Sequence, residues 1–110
     1  MQNCKRKIAV LGEMLDLGNF AKDLHSQVGE IFKDLNFDIL ITQGENTKYI
    51  CESAKKFIKT DKVINFENQD DLINELINII SPGDLVYLKA SNKMGFNNIV
   101  NKLLKVVKCM

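Results

Sequence analysis

The 110-residue chain is poor in several residue types that mark particular classes of protein. It has no tryptophan, one proline, one histidine (His25) and one arginine (Arg6). This scarcity of arginine and a formal net charge of +1 argue against a nucleic-acid partner, because such proteins usually carry a clear basic excess. The longest apolar runs, such as 8–11 and 85–88, are far shorter than the roughly 20 residues that cross a bilayer, so we expect no membrane span.

Three cysteines, Cys4, Cys51 and Cys109, are widely spaced and form no C-x-x-C pair. Their odd number is typical of reduced thiols in a cytoplasmic protein rather than of a disulfide framework. No charged start with an apolar core and a cleavage site is visible, so we expect no secretory signal and a cytoplasmic location. The sequence also lacks a G-x-x-x-x-G-K-[ST] loop, and with it the usual phosphate-binding motif for ATP.

What the chain does contain is a regular alternation of strand and helix patterns. Four short apolar runs, 7–11, 38–42, 62–66 and 85–89, each end near a turn or polar residue. Runs one, two and four are almost continuously apolar, as strands covered on both faces are. Amphipathic segments follow each run, with apolar stripes at Phe20, Leu24, Val28, Ile31, Phe32 and Leu35; at Ile50, Ala54, Phe57 and Ile58; at Leu72, Ile73, Leu76, Ile77 and Ile80; and at Ile99, Val100, Leu103, Leu104 and Val107.

This order predicts one α/β domain over residues 1–110, with a Rossmann-like parallel sheet of about four strands between two layers of helices. Right-handed crossovers leave few topologies, and we favour the strand order 3-2-1-4. Ligands of such sheets bind beyond the carboxyl ends of the strands, where the order reverses. The loops expected there are 12–20 and 89–96.

The first of these loops carries two carboxylates, Glu13 and Asp16, between Gly12 and Gly18. Its spacing is wrong for the glycine-rich loop that cradles a pyrophosphate. Carboxylates in this place suit an ammonium group, a cation or a hydroxyl. They are equally compatible with a structured connection whose acids are only solvated.

The other loop offers ammonium, hydroxyl and amide groups from Lys89, Ser91, Asn92 and Lys93. Such a mixture near a helix start favours a carboxylate or a phosphate, although a helix cap with exposed lysines would look the same. The only histidine, His25, has no second histidine for a metal pair and no nucleophile in an obvious arrangement with it. A structural hydrogen bond is therefore the better interpretation of His25, and no catalytic or metal-ligating residue is predicted.

A family resemblance adds to this interpretation. The stretch 7–18, K-I-A-V-L-G-E-M-L-D-L-G, followed by His25 and Val28-Gly29, resembles the C-terminal domain of the Mur ligases. The similarity is greatest to the members that add D-alanyl-D-alanine to UDP-MurNAc-tripeptide, and it spans essentially the whole chain. Further matches are Ile41-Thr42-Gln43-Gly44-Glu45, Phe66, Pro82-Gly83-Asp84 and Lys89-x-Ser91.

The resemblance implies an ATP- and Mg-dependent amide ligase of peptidoglycan precursor synthesis, an acid–D-amino-acid ligase. In the complete enzyme this domain would hold a D-alanyl-D-alanine-like dipeptide and close over a central ATPase domain. By this resemblance Glu13 or Asp16 would orient the ammonium, and Lys89, Ser91 and Asn92 would receive the carboxylate. The family's UDP-binding and ATPase domains, and the first segment of its C-terminal domain, are not in these 110 residues, so we expect the isolated chain to be inactive.

The sequence departs from the family pattern in two places. Glu13 replaces the family's usual aspartate and Asp16 its usual glutamate, and Lys89-Ala90-Ser91-Asn92 stands where K-G-S-R is common. The departures in the fourth-strand loop, together with the short length of the chain, keep another function open. The alternative is a stand-alone, non-catalytic module on the same fold that binds a small ligand or a protein. A flavodoxin-like signalling domain is less favoured, because no phosphoacceptor-type acidic cluster ends the first strand.

Overall fold

The computed structural model describes residues 6–13 and 18–89. Within these ranges, four strands alternate with three α-helices. The strands are β1 (Arg6–Gly12), β2 (Ile39–Gln43), β3 (Val63–Phe66) and β4 (Asp84–Lys89), and the helices are α1 (Ala21–Glu30), α2 (Lys48–Ala54) and α3 (Gln69–Ile79). Single turns of 3-10 helix lie at Gly18–Phe20, Ile31–Asp34, Glu45–Thr47 and Thr60–Lys62.

The strands form one parallel sheet in the order β3-β2-β1-β4, which confirms the predicted topology. Strand β1 lies between β2 and β4, so that Gly12 is opposite Gln43 and Leu11 is opposite Lys89. Each predicted strand agrees with the observed one to within a residue at either end. The fourth predicted helix, over 99–107, lies outside the described residues.

Both faces of the sheet are covered by helices, as the continuous apolar runs predict. One face packs Ile8, Val10 and Ile41 against Leu72 and Leu76 of α3. On the other face, Ala9, Leu11 and Leu40 pack against a cluster of apolar residues from α2 and its surroundings, namely Phe32, Ile50, Cys51, Ala54 and Ile58. Alternate residues of β1 and β2 thus belong to different cores, because side chains alternate across a strand.

Helices α1 and α2 touch closely at Gly29. A Cβ atom at this position would lie 2.5 Å from both the carbonyl oxygen of Ile50 and the Cβ of Ser53, so only a glycine allows this approach. His25, one turn earlier, is fully buried, and its Nδ1 donates to the Ala21 carbonyl oxygen at 2.6 Å. This bond agrees with the structural role expected for the histidine.

The apolar stripe predicted for the first helix is only partly buried. Phe32 is in the core, but Phe20, Ile31 and Leu35 are 68%, 53% and 43% exposed. The reason is that α1 ends at Glu30 and continues as the 3-10 turn Ile31–Asp34. A 3-10 helix has about three residues per turn, so a stripe spaced for an α-helix leaves the core there. The prediction that this stripe is a single buried face was wrong at its two ends.

Helix α3 begins as the sequence predicts. The side-chain oxygen of Asn68 accepts the backbone N–H of Asp71 at 2.8 Å, and Asp70 and Asp71 occupy the first turn. No helix among residues 6–13 and 18–89 is long and apolar enough to cross a membrane.

Candidate functional site

The sheet order brings two predicted site residues to the ends of neighbouring strands. Glu13 directly follows β1, and Lys89 is the last residue of β4. Because β1 and β4 are parallel neighbours, the two loops leave from the same carboxyl edge, as expected for a ligand site at the point where strand order reverses. Asp16, Ser91 and Asn92, the other predicted site residues, lie outside the described residues.

Lys89 is exposed at this edge, and its register places it opposite Leu11 on the face covered by α1 and α2. A lysine side chain carries a compact ammonium group with three hydrogen-bond donors on a flexible stem. It can therefore meet an anionic group of a ligand.

Glu13 is half-buried and hydrogen-bonded within the protein. Its Oε2 accepts the backbone N–H of Asn46 at 3.0 Å. Asn46 lies in the stretch 44–47, which follows β2 and which we call the second-strand loop. Sequence reasoning had placed Glu13 at the site but had given it no partner within the chain.

Internal hydrogen bonds hold the second-strand loop. The hydroxyl and the backbone N–H of Thr47 both donate to the Gly44 carbonyl oxygen, at 2.6 and 3.2 Å. Asn65 at the end of β3 donates through Nδ2 to the hydroxyl oxygens of Thr42 and Thr47, at 2.8 and 2.7 Å. The loop is thus joined to β3 as well as to β2. The hydroxyl of Thr47 three residues after Gly44 is a local turn signal that could have indicated this.

Gln43 is a second residue of this edge that sequence reasoning missed. It is the last residue of β2 and is opposite Gly12 of β1. Its Oε1 is buried and has no hydrogen-bond partner among residues 6–13 and 18–89. Leaving a buried amide oxygen without a donor costs about 1–3 kcal/mol of stability. This oxygen could therefore accept a hydrogen bond from a ligand.

The thiol of Cys51 and the imidazole of His25 are both buried. The Sγ atom of Cys51 lies 3.2 Å from Oγ1 of Thr42, and burial raises the pKa of Cys51. A thiol of this kind is a poor nucleophile, because the thiolate is the reactive form. The arrangement therefore suits binding and positioning better than covalent catalysis.

The resemblance implies ATP and Mg in the complete enzyme, and the residues described here do not fit these groups. No three His, Cys, Asp or Glu side chains in ranges 6–13 and 18–89 are grouped so as to hold a metal ion. The sequence contains no P-loop. No step of a reaction is therefore assigned to ATP or Mg within this chain.

A family model and individual relatives of known name assign the chain to the same family. Residues 1–92 match the family described as Mur ligase, glutamate ligase domain. The chain is 32% identical over 100 residues to the UDP-N-acetylmuramoyl-tripeptide--D-alanyl-D-alanine ligase of Bacillus subtilis, covering 91% of this chain and 22% of that protein. It is 34% identical over 102 residues to the ligase of the same name from Synechocystis, again covering 91% and 22%.

Solved structures agree on the fold. MurF from Acinetobacter baumannii superimposes with a TM-score of 0.76 at 22% identity, over 91% of this chain and 22% of that one. The MurF ligase of Thermotoga maritima, solved in complex with ADP, gives 0.70 at 22% identity, over 96% and 23%. The chain thus spans about a fifth of the length of the proteins it matches. The match over residues 1–92 shows that the chain belongs to the Mur ligase family and corresponds to its glutamate ligase domain, and it confirms the resemblance found in the sequence.

Proposed function

We propose that this chain is the C-terminal substrate-binding and closing domain of an ATP-dependent ligase of peptidoglycan precursor synthesis. The ligase would join D-alanyl-D-alanine to UDP-MurNAc-tripeptide. The observation that carries the proposal is that the loop with the carboxylates Glu13 and Asp16 and the loop that begins at the ammonium of Lys89 leave from the ends of neighbouring strands. The names of the relatives support the identity of the substrates.

The two charges match the two ends of a zwitterionic dipeptide. The ammonium goes to the first loop, where Glu13 or Asp16 supplies a carboxylate. The carboxylate goes to the fourth-strand loop, where Lys89, Ser91 and Asn92 supply an ammonium, a hydroxyl and an amide. Charge-assisted hydrogen bonds of this kind are among the stronger polar contacts.

The central ATPase domain of the ligase is the proposed partner, and it would bind ATP and Mg. In the proposed reaction the tripeptide carboxylate would take the γ-phosphoryl group of ATP, giving an acyl phosphate and ADP. The dipeptide amine would then attack the carbonyl carbon, displacing phosphate and losing a proton to give the amide. The present domain holds the amine donor and closes over that centre, as lids do in other enzymes. The proposed location of the reaction is the cytoplasm.

Binding to the isolated domain should be weak. An exposed ion pair contributes about 0–1 kcal/mol, whereas association costs several kcal/mol. Two such pairs therefore give low affinity until closure of the central domain excludes water from the site.

A chimeric ligase tests the proposal. The matching C-terminal segment of the Bacillus subtilis relative is replaced by this chain, and release of ADP is measured with UDP-MurNAc-tripeptide, with and without D-alanyl-D-alanine. We expect dipeptide-dependent turnover in the chimera and none in a truncated ligase that ends before the segment.

A chimera that is folded and binds ADP, yet shows no dipeptide-dependent turnover, would contradict the ligase function. If the chain alone also binds the dipeptide, that result would favour the stand-alone binding module. The variant Lys89→Ala in an active chimera should raise the KM for the dipeptide, and Lys62→Ala, far from the carboxyl edge of β4, is its control.

A further inference from the structure

The contact of Glu13 joins two loops that are distant in sequence. Its Oε2 accepts the N–H of Asn46, 33 residues away along the chain, at 3.0 Å. Asn46 lies in the 3-10 turn Glu45–Thr47 that leads directly into α2. The start of the first loop is thereby fixed to the second-strand loop.

Gly44 provides the space for this contact. Its φ is +122°, a backbone conformation that residues with a side chain rarely adopt. A Cβ atom at position 44 would also lie 2.9 Å from both Cβ and Oε1 of Glu13. The Glu13 side chain thus lies directly over the bare Cα of Gly44, in a place that a side chain at position 44 would occupy.

The bond between Glu13 and Asn46 affects the position of the whole second-strand loop. Thr47 donates to the Gly44 carbonyl oxygen, and Nδ2 of Asn65 donates both to the Thr47 hydroxyl and, at 3.3 Å, to the Gly44 carbonyl oxygen. Because these bonds make the second-strand loop rigid, the bond from the Asn46 N–H to Glu13 positions the whole loop. Turning the Glu13 carboxylate toward a ligand would break its bond to Asn46.

We infer that Glu13 is a positioning residue. It holds the second-strand loop against the end of β1, and it thereby shapes the carboxyl edge of the sheet at which the dipeptide is proposed to bind. The inference rests on the proposed function and refines the part of Glu13 in it: of the two carboxylates proposed for the ammonium of the dipeptide, it leaves Asp16 to meet that group. The acceptor oxygen of Glu13 performs this task, and its negative charge is secondary. An uncharged residue with an oxygen in the same place restores most of the effect.

Two substitutions separate the oxygen from the charge. Glu13→Gln keeps the shape and an acceptor oxygen but removes the charge, whereas Glu13→Met keeps the length and removes the acceptor. Glu45→Gln is the matched control, because Glu45 is exposed in the same loop and loses the same charge. Two quantities are measured on the 110-residue chain by NMR: the hydrogen-exchange rate of the Asn46 amide, and the Kd for D-alanyl-D-alanine from a chemical-shift titration.

In Glu13→Met we expect both the exchange rate and the Kd to rise at least about tenfold, since the hydrogen bond to a charged acceptor is lost. In Glu13→Gln we expect both to rise by no more than about threefold, because a neutral acceptor makes a weaker bond than a charged one. Glu45→Gln should follow the wild type in both measurements.

Unchanged exchange at Asn46 in folded Glu13→Met would overturn the inference. So would an equal loss of dipeptide binding in Glu13→Gln and Glu13→Met, since the charge would then be the essential feature. If Glu13→Met does not fold, a rise of tenfold or more in the Kd of folded Glu13→Gln is enough to reject the positioning role, and a smaller rise supports it. If the wild type shows no dipeptide-dependent shifts even at saturating, millimolar dipeptide while Asn46 responds as expected, the role of Glu13 in dipeptide binding is rejected and only the fastening of the loop stands. The proposed function is decided separately, by dipeptide-dependent turnover of the chimeric ligase.

Discussion

Arg6 and Asp84 fasten the amino-terminal edge of the sheet, opposite to the edge that carries Glu13. They are the first residues of β1 and β4 and face each other in the register. Nε and Nη2 of Arg6 donate to the two carboxylate oxygens of Asp84 at 3.1 and 2.6 Å, and Nη2 also donates to the Ile79 carbonyl oxygen at 2.7 Å. The Asp84 side chain is only 1% exposed, and it raises the pKa of Arg6 by accepting these bonds.

Removing Arg6 should therefore destabilise the fold much more than breaking a surface pair. We expect Arg6→Leu to lower the free energy of unfolding by about 3 kcal/mol, because a buried carboxylate loses its cation. The pair of Lys56 and Glu30, with side chains 63% and 49% exposed, is the control. Lys56→Met should cost no more than about 1 kcal/mol. Urea unfolding of the chain measures both, and similar costs for the two variants would contradict this prediction.

Cys51 should make stability depend on pH in the alkaline range. Burial raises its pKa above the ordinary value of 9.0, chiefly by desolvation. The folded state therefore keeps the proton to a higher pH than the unfolded state does. The contribution to stability is fully present below pH 9.0 and is lost as pH rises through the folded-state pKa.

Comparison with Cys51→Ala isolates this contribution from the titration of the lysines. The wild type should lose more unfolding free energy than Cys51→Ala between pH 8 and about pH 10, by up to about 1.4 kcal/mol for each pH unit. Equal slopes for the two proteins in urea unfolding across this range would show that Cys51 ionises alike in both states.

Gly29 should be intolerant of even one added methyl group. Gly29→Ala places a Cβ 2.5 Å from the backbone of Ile50 and the side chain of Ser53, which forces α1 and α2 apart. We expect a loss of about 2–3 kcal/mol, typical of an overpacked contact. The control is Gly18→Ala. No atom of residues 6–13 and 18–89 lies within 4 Å of a Cβ there, and its φ of +57° opposes the change by about 1 kcal/mol. A smaller loss in Gly29→Ala than in Gly18→Ala, by thermal or urea unfolding, would contradict the prediction.

The isolated chain should not bind Mg-ATP tightly, because its sequence has no P-loop. Calorimetric titration at micromolar protein should give no saturable heat. One-to-one binding with micromolar affinity would show that an unrecognised nucleotide site exists in this domain.

Much of the architecture was predictable because it depends on local patterns. Continuous apolar runs gave the buried strands, and Asn68 with its two following aspartates gave the cap of α3. The placement of Glu13 and Lys89 at one edge followed from strand order. The partner of Glu13 was not predictable, because the N–H of Asn46 comes within reach only through the register of β1 on β2. The exposure of Ile31 was missed because periodicity does not reveal where an α-helix tightens into a 3-10 turn.

The packing of the Glu13 side chain over Gly44 also constrains how this domain can diverge in sequence. Because the two Cβ positions would be 2.9 Å apart, only one of residues 13 and 44 can carry a side chain on this backbone. Among relatives that keep the loop, a residue other than glycine at position 44 should therefore occur together with a glycine at position 13. The two positions should vary as a pair, although 30 residues of the chain lie between them.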